Sequence, residues 1–311
     1  MFDGCLIVTV GICPAWDIVC FGENLEWGRH SLVSQARTVA GKAFNVSRAL
    51  GWMEKSSIAA GLWGEVDFAE MLMAVESVAG FVDVRFTRAA GHTRENFTVV
   101  DKNGGREIHL RTESLLASSE SLLQLEKDLR GIIDAESVCV FAGSLPGGEL
   151  FDEVISVIES VKNIGAKIVV DTSGASLAKI VTLGGLEILK PNLDELRGLL
   201  GVNIKDDPTE IAGAAKGLLD KANMIIVTRA ENGAVVVTKD RVLQGRCVTE
   251  NKILSTVGCG DYFLAGFLSG TDLKDSLAKG LKAGAARAWG QSANRNWTEL
   301  ENEIEVEIKW M

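Results

Sequence analysis

A chain of 311 residues, 47% of them apolar, can bury one large core, and this composition excludes a disordered or low-complexity protein. A formal net charge of −10 excludes a general nucleic-acid binder and a polybasic membrane-surface protein, so an anionic ligand needs a local basic pocket in an acidic body. The six cysteines (Cys5, Cys13, Cys20, Cys139, Cys247 and Cys259) include no Cys-x-x-Cys pair and the three histidines are scattered, which gives no zinc spacing and points to reduced thiols in the core.

The first five residues carry an acid, and the apolar run 6–10 is shorter than a signal-peptide core or a membrane span. A soluble cytoplasmic protein with no membrane partner is therefore expected. Residues 5–10 suit a buried strand. Residues 17–36 alternate apolar and polar, with short runs at 17–21 and 31–34 around Gly22 and Gly28, as in half-exposed antiparallel strands. Gly41 opens a helix over 42–50 that Gly51 closes. A strand at 56–60, a helix over 66–78 and a strand at 82–86 follow. Alternation returns at 94–100 and 106–111, joined through Asp101-Lys102-Asn103-Gly104-Gly105, a strong hairpin signal.

The chain then settles into regular strand–helix units. Helix 119–133 leads to strand 137–142, helix 149–163 to strand 167–170, and helix 175–181 to strand 186–189. Helices 193–200 and 208–221 lead to strand 224–227. A second hairpin pairs 233–238 with 242–247, and a last long helix covers 273–290. Repeated units of this kind predict a mostly parallel sheet with helices on both faces. The alternating patches do not belong in that sheet. They predict a small β-sheet lid over the strand ends, where open α/β sheets place their ligand crevice.

The segment 255–267 stands between the second hairpin and the last helix. In Val257-Gly258-Cys259-Gly260-Asp261, two glycines free the backbone to turn, so that successive N–H groups face one spot ahead of a helix. That arrangement suits an anion, commonly phosphate. A carboxylate there is repelled by the ligand unless it takes a proton from whatever attacks the phosphate. The plainer alternative makes Asp261 an ordinary N-cap.

Five further clusters fall at the expected strand ends. Asp17 ends the turn Cys13-Pro14-Ala15-Trp16-Asp17. Lys42 starts a helix, where a cation opposes the dipole unless an anion faces it. Arg94, in Gly91-His92-Thr93-Arg94-Glu95-Asn96, sits at the mouth of a lid strand. Ser144 lies in Gly143-Ser144-Leu145-Pro146-Gly147-Gly148, and Asn192 and Glu195 lie three apart in Lys190-Pro191-Asn192-Leu193-Asp194-Glu195. Each has a plainer alternative: a turn acceptor for Asp17, a solvated charge for Lys42, a surface ion pair for Arg94, and a capping box for Asn192 and Glu195.

With Ala40-Gly41-Lys42-Ala43-Phe44-Asn45, the motifs at 190–195 and 257–261, and their order, the chain resembles a ribokinase-like carbohydrate kinase of the phosphofructokinase-B family over nearly its whole length. Within it the chain is most similar to the sugar-phosphate branch of 1-phosphofructokinase and tagatose-6-phosphate kinase, which carries Lys in the first motif and Thr-Arg-x-Asn in the lid. The resemblance implies a three-layer α/β/α fold: one domain over 1–311, with the lid built from about 14–38 and 88–112. It implies ATP and Mg²⁺, a sugar-phosphate substrate and a homodimer formed through the lid. It implies Asp261 as general base, with the amides of Gly258, Cys259, Gly260 and Asp261 holding the transferring phosphoryl group. Asp17, Gly41 and Asn45 would bind sugar hydroxyls, and Lys42, Arg94 and Ser144 the substrate's phosphate. Lys190, Thr228 and Gly233 would touch the nucleotide phosphates together with Gly258 and Gly260, and Asn192 and Glu195 would hold Mg²⁺ through water.

Lys42 and Arg94 together favour a phosphorylated ketose, because a charged hydrogen bond is roughly twice as strong as a neutral one. The other readings are a kinase for an unphosphorylated sugar or nucleoside and a non-catalytic sugar-phosphate or nucleotide sensor. The chain departs from the family pattern at Ala40, Ala43, Cys259, Tyr262, Arg229-Ala230, Trp16 and Gly11-Ile12-Cys13, which leaves the individual sugar open.

Overall fold

The computed structural model describes residues 2, 4–76, 80–104 and 106–311. Strand β1 (Ile7–Gly11) is buried at every position, as an apolar run without alternation requires. The chain leaves it for β2 (Ala15–Gly22) and β3 (Ser34–Ala40). It returns through α1 (Lys42–Trp52) to β4 (Ser57–Gly64), and through α2 (Phe68–Ala74) to β5 (Val82–Ala89). The hairpin β6 (Glu95–Asp101) and β7 (Arg106–Arg111) forms where its turn signal stood.

Next come α3 (Ser119–Arg130), β8 (Val138–Ala142), α4 (Leu150–Ile164) and β9 (Lys167–Asp171). Then follow α5 (Gly174–Val181), β10 (Leu186–Leu189), α6 (Leu193–Leu200), α7 (Pro208–Lys216) and β11 (Ala222–Thr228). The second hairpin is β12 (Ala234–Thr238) with β13 (Val242–Cys247). Helices α8 (Cys259–Leu268), α9 (Leu273–Ala288) and α10 (Trp297–Glu303) precede the last strand, β14 (Val306–Trp310).

Ten strands form the main sheet, in the order β14-β13-β12-β11-β10-β9-β8-β1-β4-β5. It is parallel from β5 to β11 and antiparallel from β11 to β14. Successive side chains of the inner strands enter opposite cores. Cys139 and Phe141 of β8 join one core, with residues of α3 to α7, while Val138, Val140 and Ala142 join the other, with α1, α8 and α9. The second sheet has the order β3-β2-β6-β7, with β2 and β6 parallel and both outer pairs antiparallel. The mostly parallel sheet between helix layers and the separate small sheet agree with the sequence.

Several expectations shift. The strand read at 31–34 lies at Ser34–Ala40, because β3 pairs residue for residue with β2 from Phe21↔Ser34 to Ala15↔Ala40. The helix expected over 66–78 begins at Phe68 and ends at Ala74, and its last positions, 77 and 78, lie outside the described residues, as do Gly105 of the first hairpin and Met1 and Asp3 of the N-terminus. The helix expected over 208–221 ends at Lys216, with the Gly217 amide donating to Ala214. α10 and β14 were not expected from the sequence. β14 pairs antiparallel with β13.

One buried carboxylate joins the two sheets. Asp67 stands at the N-cap position of α2 but does not cap it. Its Oδ2 accepts from Trp16 Nε1 of β2 at 2.6 Å and from Trp63 Nε1 of β4 at 3.0 Å, and its Oδ1 accepts from the Thr93 amide at 2.9 Å. The two indoles meet edge to face at 5.4 Å. Thr93 Oγ1 in turn accepts from the Gly64 amide at 2.9 Å. Asp67→Ala strips three buried donors of their acceptor and should destabilise the protein by about 3 kcal/mol or more, read by urea unfolding. A loss within experimental error would show that this junction contributes little.

Candidate active site

Gly258 takes a left-handed conformation (φ 79°) at the N-cap of α8, which a side chain rarely tolerates. The turn brings the amides of Asp261 and Tyr262 onto the Gly258 carbonyl at 3.1 and 3.0 Å, while the Cys259 amide reaches Thr256 O at 3.5 Å. Within the described chain the amides of Gly258 and Gly260 have no acceptor, and no side chain caps this helix. Asp261 is therefore not the N-cap. It lies in the first turn, 4% exposed, and its Oδ2 accepts from Asn45 Nδ2 of α1 at 2.8 Å. Burial first, then the charge of Asp171, push its carboxyl up to about 7, against the Asn45 hydrogen bond and the ammonium groups of Lys42 and Lys190.

Asp171 was not singled out in the sequence. It ends β9 after the apolar run 168–170, and its side chain is wholly buried. Lys42 Nζ lies 2.8 Å from Oδ1 and Lys190 Nζ 2.9 Å from Oδ2. Burial opposes the Asp171 charge, but the two ammonium groups outweigh it and hold its carboxyl below the usual range. Burial likewise disfavours the Lys42 ammonium, yet Asp171 pushes it up to about 12. Lys42 is thus half of an ion pair at the start of α1. Gly143, with φ 101°, donates its amide to Asp171 O at 2.9 Å and runs close beside Lys42. This sets the 143–148 loop and the exposed Ser144 next to that pair.

The remaining substrate-side residues surround the chain crossings into the small sheet. Asp17 Oδ1 accepts from Asn96 Nδ2 at 2.8 Å, across the parallel β2–β6 pair. Gly41 adopts φ 120° and ψ 142° next to Pro14, a conformation reserved for glycine. Its carbonyl accepts from the Asn45 amide at 2.9 Å. Arg94, read as a phosphate contact, donates here to the backbone: Nε to Pro14 O at 3.2 Å, NH2 to Cys13 O at 3.0 Å and NH1 to Thr112 O at 3.4 Å. It staples three crossing segments together.

On the other side, Lys190 is 4% exposed, and its Nζ lies 3.6 Å from where a β-carbon on Gly260 would sit. Asn192 and Glu195 form the capping box of α6, each accepting from the other's amide at 2.8 Å. Thr228 ends β11, bridges to Asn192 and donates its amide to Pro191 O at 3.1 Å. Gly233 has a packing reason of its own: at φ 88°, a β-carbon would overlap the Gly245 carbonyl of β13. Among the described residues no group of three or more His, Cys, Asp or Glu could hold a metal ion.

Ion pairs thus bring Lys42 and Lys190 onto Asp171, and a hydrogen bond joins Asn45 to Asp261, whose carboxyl senses the Asp171 charge. A family model described as "pfkB family carbohydrate kinase" matches residues 6–294, and the chain belongs to that family. It is 30% identical to a 1-phosphofructokinase of Borreliella burgdorferi over 91% of this chain and 92% of that one. It is 26% identical to a tagatose-6-phosphate kinase of Staphylococcus epidermidis over 97% and 99% of the two chains. Its fold superposes with a TM-score of 0.86 on Escherichia coli phosphofructokinase-2 in complex with fructose-6-phosphate, at 21% identity, covering 96% of this chain and 98% of that one.

The carboxyl of Asp261 should titrate near pH 7, read by ¹³C NMR of labelled aspartate. In Asp171→Asn, one repelling charge goes and two ammonium groups lose their partner, so the same resonance should titrate clearly below that value. An unchanged or higher midpoint would contradict the balance of charges described here.

Proposed function

We propose that this carbohydrate kinase transfers the γ-phosphoryl group of ATP to a hydroxyl of a phosphorylated ketose, of the fructose 1-phosphate, fructose 6-phosphate or tagatose 6-phosphate class. The observation that carries the reading is Asp261: a buried carboxylate, raised to about 7, one turn from two amides without acceptors. A base with that affinity for protons is matched to neutral pH. Asp261 takes the proton of the attacking hydroxyl. The sugar oxygen bonds to the γ-phosphorus, the bond to the β,γ-bridging oxygen breaks, and ADP leaves. Gly258 and Gly260 supply the first amides to the transferring group. Those of Cys259 and Asp261 must first loosen their bonds to Thr256 and Gly258. Catalysis of this kind is mostly positioning and charge stabilisation.

Lys42 and Lys190 share the Asp171 carboxylate, so this triad carries one positive charge in excess, which a phosphate can meet. Lys42, Arg94 and Ser144 would take the phosphate of the substrate, and Asp17, Gly41 and Asn45 its hydroxyls. Arg94 would exchange neutral carbonyl partners for a charged one, and that exchange is favourable. Lys190 and Thr228 would face the nucleotide phosphates, with Gly233 shaping their turn. For Mg²⁺, the capping box leaves Glu195 one oxygen without a hydrogen bond, and one carboxylate with water and nucleotide phosphates is a fitting donor set for this ion. When bound, the ion neutralises charge on the β- and γ-phosphates.

The ion pair of Lys42 and the three backbone acceptors already held by Arg94 favour a second reading, a kinase for an unphosphorylated sugar. A coupled assay of ADP release over both classes of acceptor separates the two. Turnover with a ketose phosphate is expected, falling by about 10²-fold or more in Asp261→Asn. Faster turnover of free fructose, ribose or adenosine would overturn the phosphate reading.

The small sheet, about 14–38 and 88–112 of one domain over 1–311, would act as a lid and as a dimer contact. Trp27 (92%) and Leu32 (100%) are exposed in its β2–β3 connection, and Ile108 (41%) and Leu110 (54%) on β7. No helix among the described residues is long and apolar enough to cross a membrane. Light scattering should give twice the chain mass, and Leu110→Asp should halve it. A monomer mass for the unaltered chain at micromolar concentration would remove the dimer.

A further inference from the structure

Arg287 lies in the last turn of α9, where a cation ordinarily complements the helix dipole. Its guanidinium reaches away from its own helix. Nε donates to the carbonyl of Val257 at 3.1 Å, in the loop that leads into α8. It lies 3.4 Å from where a β-carbon on Gly258 would sit, and the guanidinium stands over the Tyr262 ring at 5.3 Å from its centroid. Glycines let α8 and α9 approach closely enough for this. A β-carbon on Gly266 would overlap the Lys279 carbonyl, and one on Gly284 would come within 3.3 Å of Cys259 O.

The Val257 carbonyl accounts for Nε alone. Among the described residues no carboxylate pairs with Arg287, and its terminal nitrogens have no acceptor. A second guanidinium without a carboxylate partner, that of Arg48, stands close by, with NH2 donating to Val39 O. Burial foremost, and the Arg287 charge as well, hold Arg48 below its ordinary value. A guanidinium without a carboxylate partner beside an amide without an acceptor, as at Arg287 and Gly258, forms an arrangement that an anion completes. On the Gly260 side the corresponding cation is Lys190, at 3.6 Å from the β-carbon position.

We propose that Arg287 is the second phosphate-binding cation of the α8 anion hole, contacting a nucleotide phosphate from the Gly258 side as Lys190 does from the Gly260 side. The proposal rests on the kinase reading and adds a residue that reading does not use. The test compares the unaltered protein with Arg287→Gln and Arg287→Lys, measuring kcat and KM for ATP and for the sugar phosphate, calorimetric Kd for MgATP, and Tm.

The Gln variant should lose about 10²-fold in kcat/KM for ATP and bind MgATP more weakly, with the Lys variant recovering part of the loss. The KM for the sugar phosphate should change by less than about threefold, which a merely structural role would not produce. Unchanged ATP efficiency in the Gln variant overturns the proposal. So do equal losses toward both substrates accompanied by a lowered Tm. If the unaltered protein turned over no ketose phosphate, the ketose-phosphate reading would fall. The MgATP calorimetry would still decide for or against Arg287, through a weaker Kd in the Gln variant or an equal one.

Discussion

A carboxylate without access to water, Asp171, sets the terms for everything around it. Isolated in an apolar interior such a charge is prohibitive, and it persists because two ammonium groups sit within 3 Å of its oxygens. Those partners come from distant parts of the chain: Lys42 starts α1, and Lys190 follows β10. The ion triad therefore fixes three segments against one another at the carboxyl end of the parallel strands, where such sheets open a crevice. It also balances Asp261. The Asp171 charge raises the proton affinity of that carboxyl while the two lysines lower it, and burial tips the result upward.

The backbone around this cluster is shaped by absent side chains. At Gly41 and Gly258, positive φ angles turn the chain into α1 and α8, so both helices begin at the crevice. Gly61 lets β4 lie against β1, since a β-carbon there would overlap the Gly11 carbonyl. Substituting any of them would move a helix start or a strand, and with it the side chains that meet at Asp171. The turn into α8 is thus a consequence of packing on both sides of it: α1 through Asn45, and α9 through Gly284 and Arg287.

Much of this was legible in the sequence, for identifiable reasons. Apolar runs such as 138–142 and 168–170 announce buried strands because both faces of a covered parallel sheet are dry. Gly258 and Gly260 before an apolar run announce the turn at α8. Asp171 was not legible: one acid after an apolar strand looks like any turn residue, and only the fold brings Lys42 and Lys190 to it. Asp67 was hidden in the same way, since its partners are two indoles on separate strands and the Thr93 amide just before β6. β14 was missed because five residues with two half-buried apolar positions give too short an alternation. Gly233 was legible as a glycine that matters, but its reason, the overlap with Gly245, lies in strand pairing.

The departures from the family pattern are compensated where they occur. Ala43 is buried against Gly11, so its methyl fills space that another glycine would leave empty. Cys259 is pushed up mainly by burial and its thiol donates to Ser255 O, so it stays a neutral neighbour of Asp261. Tyr262 packs against Trp52 and carries Arg287 on its ring, which ties an unusual residue in α8 to a cation in α9. At the turn after β11, Ala230 holds φ 50° without being glycine, a conformation that costs about 1 kcal/mol. Arg229 and Asn232 on either side both bond to Asp206, at 2.5 and 2.6 Å, and clamp the turn in that conformation. A glycine there would supply the same angle through freedom. This chain supplies it through a cross-link to Asp206.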